Sequence, residues 1–157
     1  EVMEDLPGAE AIIVPIGGGG LVSGITSAVK TVWEEVKVYG VEPTAAPGAY
    51  RSLREGVCHE TLDVSESIAD GLLGGFGRLP FEICRRTVDD TFLVDDGEIV
   101  EAMAAFQQEE QVMVEPASSV GLAAMLSGKI RLQDRKVVLV VTSRNIDASR
   151  YNQLIKL

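Results

Sequence analysis

The sequence predicts an α/β protein with three layers and a mostly parallel sheet. Three observations lead there. Short apolar runs alternate along the chain with stretches of helical spacing, the order of strand–helix–strand crossovers. A turn of four consecutive glycines joins the first apolar run to the first helical stretch. The last run, residues 137–141, is apolar at every position, as in a parallel strand covered on both faces.

The elements follow in order. Residues 1–10 read as the tail of a helix and a turn at Pro7-Gly8. Residues 11–14 (Ala-Ile-Ile-Val) read as a buried strand. The helix over 21–33 places Leu21, Ile25, Ala28, Val29 and Val32 on its expected apolar face. In 36–41, Lys37 and Tyr39 alternate with Val36, Val38 and Gly40, a second strand ended by Glu42-Pro43. The crossover between these two strands should be right-handed. A loop over 44–48 leads to a short helix over 49–55, and 56–65 is irregular. Residues 68–80 hold Gly71, Gly74, Gly75 and Gly77 and read as a flexible, function-bearing loop before a short helix over 81–86.

Residues 90–94 form a third strand. Asp95 then reads as an N-cap with Glu98 as its capping-box partner. The helix that follows presents Ile99, Met103 and Phe106 and ends near Gln111. Glu115-Pro116 opens another helix, with Pro116 where a missing N–H costs nothing; Val120, Ala123, Ala124 and Leu126 form its face, and it stops near Gly128. The strand at 137–141 is expected at the centre of the sheet. Ligands of open parallel sheets bind beyond the carboxyl ends of the strands, so the glycine loop and Thr142 should face one cleft.

Composition narrows the classes. The chain of 157 residues is long enough for one domain with its own core, spanning 1–157. A net charge of −10 argues against nucleic-acid and anionic-membrane partners, which need basic surface. No apolar run approaches the ~18 residues of a membrane span. Cys58 and Cys84 read as two reduced thiols of a cytoplasmic protein.

The glycines carry the chemistry. Gly17, Gly18, Gly19 and Gly20 leave the backbone bare where a helix begins. The first N–H groups of that helix lack intrahelical acceptors, and the helix dipole is positive there. Together these make an anion site, most often for phosphate. A dinucleotide fingerprint fails, because its third glycine would fall at Val22 or Ser23; a P-loop fails, because no lysine precedes Lys30. A glycine-rich turn without a ligand is the alternative.

Gly17-Gly18-Gly19-Gly20-Leu21, Val41-Glu42-Pro43, Ile68-Ala69-Asp70-Gly71, Val114-Glu115-Pro116-Ala117 and Asn145-Ile146-Asp147 follow one another in this order. They resemble the motifs of the fold type II pyridoxal-phosphate enzymes that include threonine/serine dehydratase and serine racemase. The resemblance covers nearly the whole chain but only the second half of such enzymes, a partial large domain. It implies pyridoxal 5′-phosphate as cofactor. It also implies a missing N-terminal half that carries the Schiff-base lysine and the loop gripping the substrate carboxylate.

By the same resemblance, Gly17, Gly18, Gly19, Gly20 and Leu21 cradle the phosphate. Thr142 stands where the family's Ser-Gly-Gly-Asn begins and supplies a hydroxyl to the ring nitrogen. Ser143 and Arg144 replace the two glycines, and Arg144 either narrows the cleft, reaches an anion or is an exposed turn residue. Gly71 lies beside the ring, with Asp70 bracing the turn. Glu115 lies near the cofactor or is simply an acid at a helix N-terminus. Glu42, with the Ala46 carbonyl, matches a divalent-cation site whose third ligand position is Gly48 here; a strand-end carboxylate is the alternative. His59 reads as a surface residue, with no metal-ligand or triad partner at usable spacing. No lysine present matches the Schiff-base position, and Lys30 should point away from the phosphate.

The implied activity is that of the C-terminal portion of a threonine/serine dehydratase-like ammonia-lyase. It removes the β-hydroxyl of a small hydroxy-amino acid to give a 2-oxo acid and ammonia. These residues alone should be inactive, the full-length protein should be a homodimer, and no appended regulatory domain is expected. An amino-acid racemase or a hydroxyectoine-utilisation dehydratase of the same fold stays open. So do a non-catalytic phosphate-ligand-binding module and an oligomerisation domain.

Overall fold

The structure, a computed structural model, describes residues 1–156. After a helical turn α1 (Val2–Asp5), the chain runs β1 (Ala11–Pro15), α2 (Gly20–Val32), β2 (Lys37–Pro43) and α3 (Gly48–Glu55). A 3-10 turn (Asp70–Leu72) precedes α4 (Arg78–Thr87), β3 (Asp90–Val94), α5 (Asp96–Glu110), α6 (Pro116–Leu126), β4 (Val137–Leu139) and α7 (Ala148–Ile155). The sheet order is β3-β2-β1-β4 and every pairing is parallel. Ala11 lies opposite both Lys37 and Val137, so β1 is held in register from both sides.

Strand alternation sorts the core into two layers. Ile12, Val14 and Ile16 join Val22, Val29, Phe76, Phe81 and Cys84 on the side of α2 and α4. Ile13 and Val41 join Ile99, Met103, Val120, Ala123 and Tyr151 on the side of α5, α6 and α7. Gly121 permits the second layer to close, since a Cβ there would stand 2.5 Å from Leu139 Cδ1. No helix among the described residues is long and apolar enough to cross a membrane.

Three elements differ from the sequence expectation. Among the described residues β4 pairs only with β1 and lies at the edge of the sheet, not its centre. Val137 and Leu139 pack on one core layer, Val138 and Val140 on the other. The apolar run therefore reports packing on both faces, each partly buried, and not two bonded edges.

The buried face of α2 is Val22, Ser23, Thr26 and Val29, while Leu21 and Val32 are 45% and 63% exposed. Ser23 Oγ donates to Gly20 O and Thr26 Oγ1 to Thr87 O, both at 3.0 Å. These hydroxyls are buried because their bonds are made within the protein. Finally, α7 follows the last motif, with Asp147 accepting from the Ser149 and Arg150 N–H groups as its N-cap. Tyr151 is fully buried and donates to Met103 O at 2.7 Å, which ties α7 to α5.

The capping box of α5 forms: Glu98 N–H donates to Asp95 Oδ1 and Asp95 N–H to Glu98 Oε2, each at 2.9 Å. Asp95→Ala should lower stability by about 1 kcal/mol, read from urea denaturation. A change below ~0.3 kcal/mol, under the range for such caps, would contradict that role.

Candidate functional site

β1 ends at Pro15, and after buried Ile16 the chain enters the glycines. Gly19 is the N-cap of α2 in the left-handed region, at φ +88°, which a side chain strains against. A Cβ on Gly19 would also stand 2.3 Å from Phe76 Cε2 and 2.7 Å from Pro80 Cβ. A Cβ on Gly18 or Gly20 would meet nothing within 4 Å. The loop is thus packed on one side and open on the other. No acceptor among the described residues meets the N–H groups of Gly17, Gly18, Gly19, Gly20 or Leu21. An anion reaching the open side would find those donors and the positive end of α2.

The packed side is braced by the second glycine-rich segment. Gly77 N–H donates to Gly18 O at 3.1 Å, and Phe76 N–H to His59 O at 2.8 Å. His59 N–H donates to Ser52 Oγ at 3.0 Å, and Ser52 Oγ to Gly48 O at 2.6 Å. The far end of this chain of bonds is Glu42. Its Oε1 accepts from Ala49 N–H at 2.8 Å and its Oε2 from Tyr50 N–H at 2.7 Å. Glu42 is 1% exposed, and burial pushes its carboxyl up to about 7 against the pull of those N–H groups.

A cavity of about 230 Å³ opens over the loop. Pro15, Gly17, Gly18, Gly19, Gly20, Leu21, Gly71, Leu72 and Thr142 line it. No lining side chain is charged, so attraction for an anion comes from backbone dipoles alone. Gly71 reaches the loop directly, since a Cβ on Gly17 would lie 3.5 Å from Gly71 O. Thr142 arrives from beyond β4, which the pairing with β1 sets beside the loop. Its Oγ1 lies 2.9 Å from Ser118 Oγ. Thr142 also borders a second cavity of about 510 Å³ with Ser143, Arg144, Phe106 and Glu110.

The other sequence candidates lie elsewhere. Glu115 is the half-buried N-cap of α6, makes no capping bond with its side chain, and does not line the cavity. Both Glu42 oxygens serve the start of α3, and the Ala46 carbonyl accepts from Gly48 N–H at 3.0 Å. Among the described residues no three His, Cys, Asp or Glu side chains gather as a metal site. Asp70 is held by Arg150 of α7 at 3.3 Å. His59 Nε2 lies 2.6 Å from Glu55 Oε2, a local pair on α3 and the loop after it and not a metal or triad site. Lys30 Nζ donates to Val36 O and Asp89, and no lysine among the described residues lines the cavity.

Sequence reasoning missed Ser118 and the brace from Phe76 to Pro80. Ser118 left a faint signal, a serine pair inside the otherwise apolar stretch 116–126. The brace showed only as the glycine-rich loop 68–80; that Phe76 and Pro80 pack on Gly19 appears once the chain is folded.

The model of the pyridoxal-phosphate dependent enzymes matches residues 1–143. The chain belongs to that family. It is 38% identical over 156 residues to an L-threonine ammonia-lyase of Thermotoga maritima, covering 99% of this chain and 38% of that protein. It is 40% identical over 159 residues to a catabolic L-threonine dehydratase of Escherichia coli, covering 98% and 47%. The structure of maize serine racemase superposes with a TM-score of 0.89 at 34% identity, over 99% of this chain and 48% of that one. The chain thus spans under half the length of these relatives and shares the α/β architecture of fold type II. Pyridoxal 5′-phosphate is the cofactor of the family.

The bare loop with unmet N–H groups suits the phosphate of this cofactor. Gly19→Ala should cost about 2–4 kcal/mol from the left-handed φ and the clash with Phe76. A urea midpoint equal to wild type would contradict the packing described.

Glu42 has a second consequence. Its folded pKa, about 7, is raised above the ordinary 4.5. The folded state therefore binds more protons between these values. The contribution to stability is full below 4.5 and falls, by up to roughly 3 kcal/mol, as pH rises through 7. Glu42→Gln should flatten the denaturation profile over this window; an unchanged slope would contradict it.

Proposed function

We propose that these residues form the phosphate-binding and ring-binding half of a pyridoxal-phosphate-dependent ammonia-lyase acting on a small hydroxy-amino acid such as threonine or serine. One observation carries the reading: a single small cavity joins the unmet N–H groups of Gly17, Gly18, Gly19, Gly20 and Leu21 to the Thr142 hydroxyl. The names of the Thermotoga and Escherichia coli relatives support the reaction class.

In this reading the five N–H groups and the α2 dipole hold the phosphate. Gly71 forms part of the wall beside the ring. Thr142 offers its hydroxyl to the ring nitrogen. When bound, the cofactor supplies the electron sink that lets the α-proton and the β-hydroxyl of the substrate leave. The residues described here bind and orient it, and keep charged side chains away from the ring. The covalent lysine and the carboxylate-gripping loop belong to a part of the enzyme outside these residues, so this segment alone should not turn over. A full-length homodimer in the cytoplasm belongs to the same proposal. The reducing compartment is supported by free Cys58 and by Cys84, whose thiol burial pushes up to about 12, away from reactivity. A racemase is the second reading, supported by the likeness to maize serine racemase.

Gly18→Asp tests the assignment. Its Cβ enters open space, so the fold tolerates it, while its carboxylate repels phosphate. In the full-length gene product it should weaken pyridoxal phosphate binding at least about tenfold and remove turnover of L-threonine and L-serine. Formation of a 2-oxo acid by the wild type separates the lyase from a racemase, which returns the other enantiomer. Unchanged cofactor affinity in Gly18→Asp would overturn the phosphate assignment.

A further inference from the structure

We infer that Ser118 is a positioning residue that fixes the direction of the Thr142 hydroxyl proton, and so makes Thr142 a hydrogen-bond donor toward the cavity. The inference rests on the proposal that Thr142 meets the ring nitrogen.

Ser118 sits in the first turn of α6 and is fully buried. Its Oγ has two partners: the Ser143 N–H and Thr142 Oγ1, each at 2.9 Å. The first bond has only one possible direction, because a backbone amide donates. It occupies one lone pair of Ser118. The second bond is open to either direction by distance alone. Burial decides it. A serine hydroxyl out of water needs an acceptor for its own proton. Thr142 Oγ1 is the acceptor that the described residues offer it. The reverse arrangement, with Thr142 donating inward, leaves the Ser118 proton unpaired in a dry site.

The order is therefore Ser143 N–H to Ser118 Oγ, Ser118 O–H to Thr142 Oγ1, and Thr142 O–H outward. Thr142 is exposed and lines the cavity, so its proton is available there. Accepting from Ser118 also polarises Thr142 and strengthens it as a donor. Such a donor matches an acceptor, a neutral pyridine nitrogen, better than a protonated ring, which is itself a donor. Ser118 touches no ligand; it acts through Thr142.

The test uses pyridoxal 5′-phosphate labelled with nitrogen-15 in its ring, bound to the full-length gene product, with the ring nitrogen read by NMR. Thr142→Val removes the hydroxyl and should move the ring resonance toward that of a neutral pyridine without a hydrogen bond. Ser118→Ala should move it the same way by a smaller amount. Ser118→Cys keeps the volume but donates poorly, and should follow Ala rather than Ser. It serves as the second variant if Ser118→Ala fails to fold. A merely structural role would change stability and leave the resonance alone. If Thr142→Val shifts the signal while Ser118→Ala and Ser118→Cys keep the wild-type value, the role of Ser118 is overturned and the ring-nitrogen proposal stands. If Thr142→Val leaves the signal unmoved, that proposal falls and the inference falls with it.

Discussion

The parallel register of β1 between β2 and β4 is the constraint on which the site depends. Ala11, Ile12 and Ile13 pair on one side with Lys37, Val38 and Tyr39, and on the other with Val137, Val138 and Leu139. Parallel strands in register finish at the same end of the sheet. The glycine loop after β1 and Thr142 after β4 therefore meet, although more than a hundred residues separate them in sequence. The pairing is specified by burial. Every residue of β1 is buried, with alternate side chains feeding two core layers, and a slip of one residue would exchange them.

Precision at the loop comes from behind it. Four glycines have little intrinsic preference for one conformation. Here the chosen conformation is imposed by Phe76 and Pro80 against Gly19 and by the Gly77 bond to Gly18. That brace rests on α3 through Ser52 and His59, and α3 is held at its start by Glu42. A buried carboxyl group thus lies at the base of the proposed phosphate cradle without touching it. The site itself stays free of formal charge, which leaves oriented backbone dipoles as its means of binding.

Much of this was legible in the sequence. The glycine loop, the capping box at Asp95 and Glu98, the start of α6 at Pro116 and the convergence of strand ends follow from local chemistry and the rules of parallel sheets. What stayed hidden has physical causes. The phase of α2 does not follow from counting apolar residues, because Ser23 and Thr26 satisfy their hydroxyls on backbone carbonyls and so can be buried. The edge position of β4 is not visible in its sequence, because an apolar strand reports packed faces and says nothing of free edges. The Glu55 contact of His59, one helical turn away, makes neither a triad nor a metal site. The tertiary bonds of Ser118 and Glu42 join residues whose relation appears only once the chain is folded.

The central claim is that one coenzyme is held at its phosphate by the backbone after β1 and at its ring by the hydroxyl after β4. Backbone amide NMR of the full-length gene product, with and without pyridoxal 5′-phosphate, tests it most directly. The account predicts that the amides of Gly17, Gly18, Gly19, Gly20 and Leu21 shift on binding together with those of Gly71 and Thr142. Binding that leaves the glycine amides in place while residues elsewhere respond would contradict it.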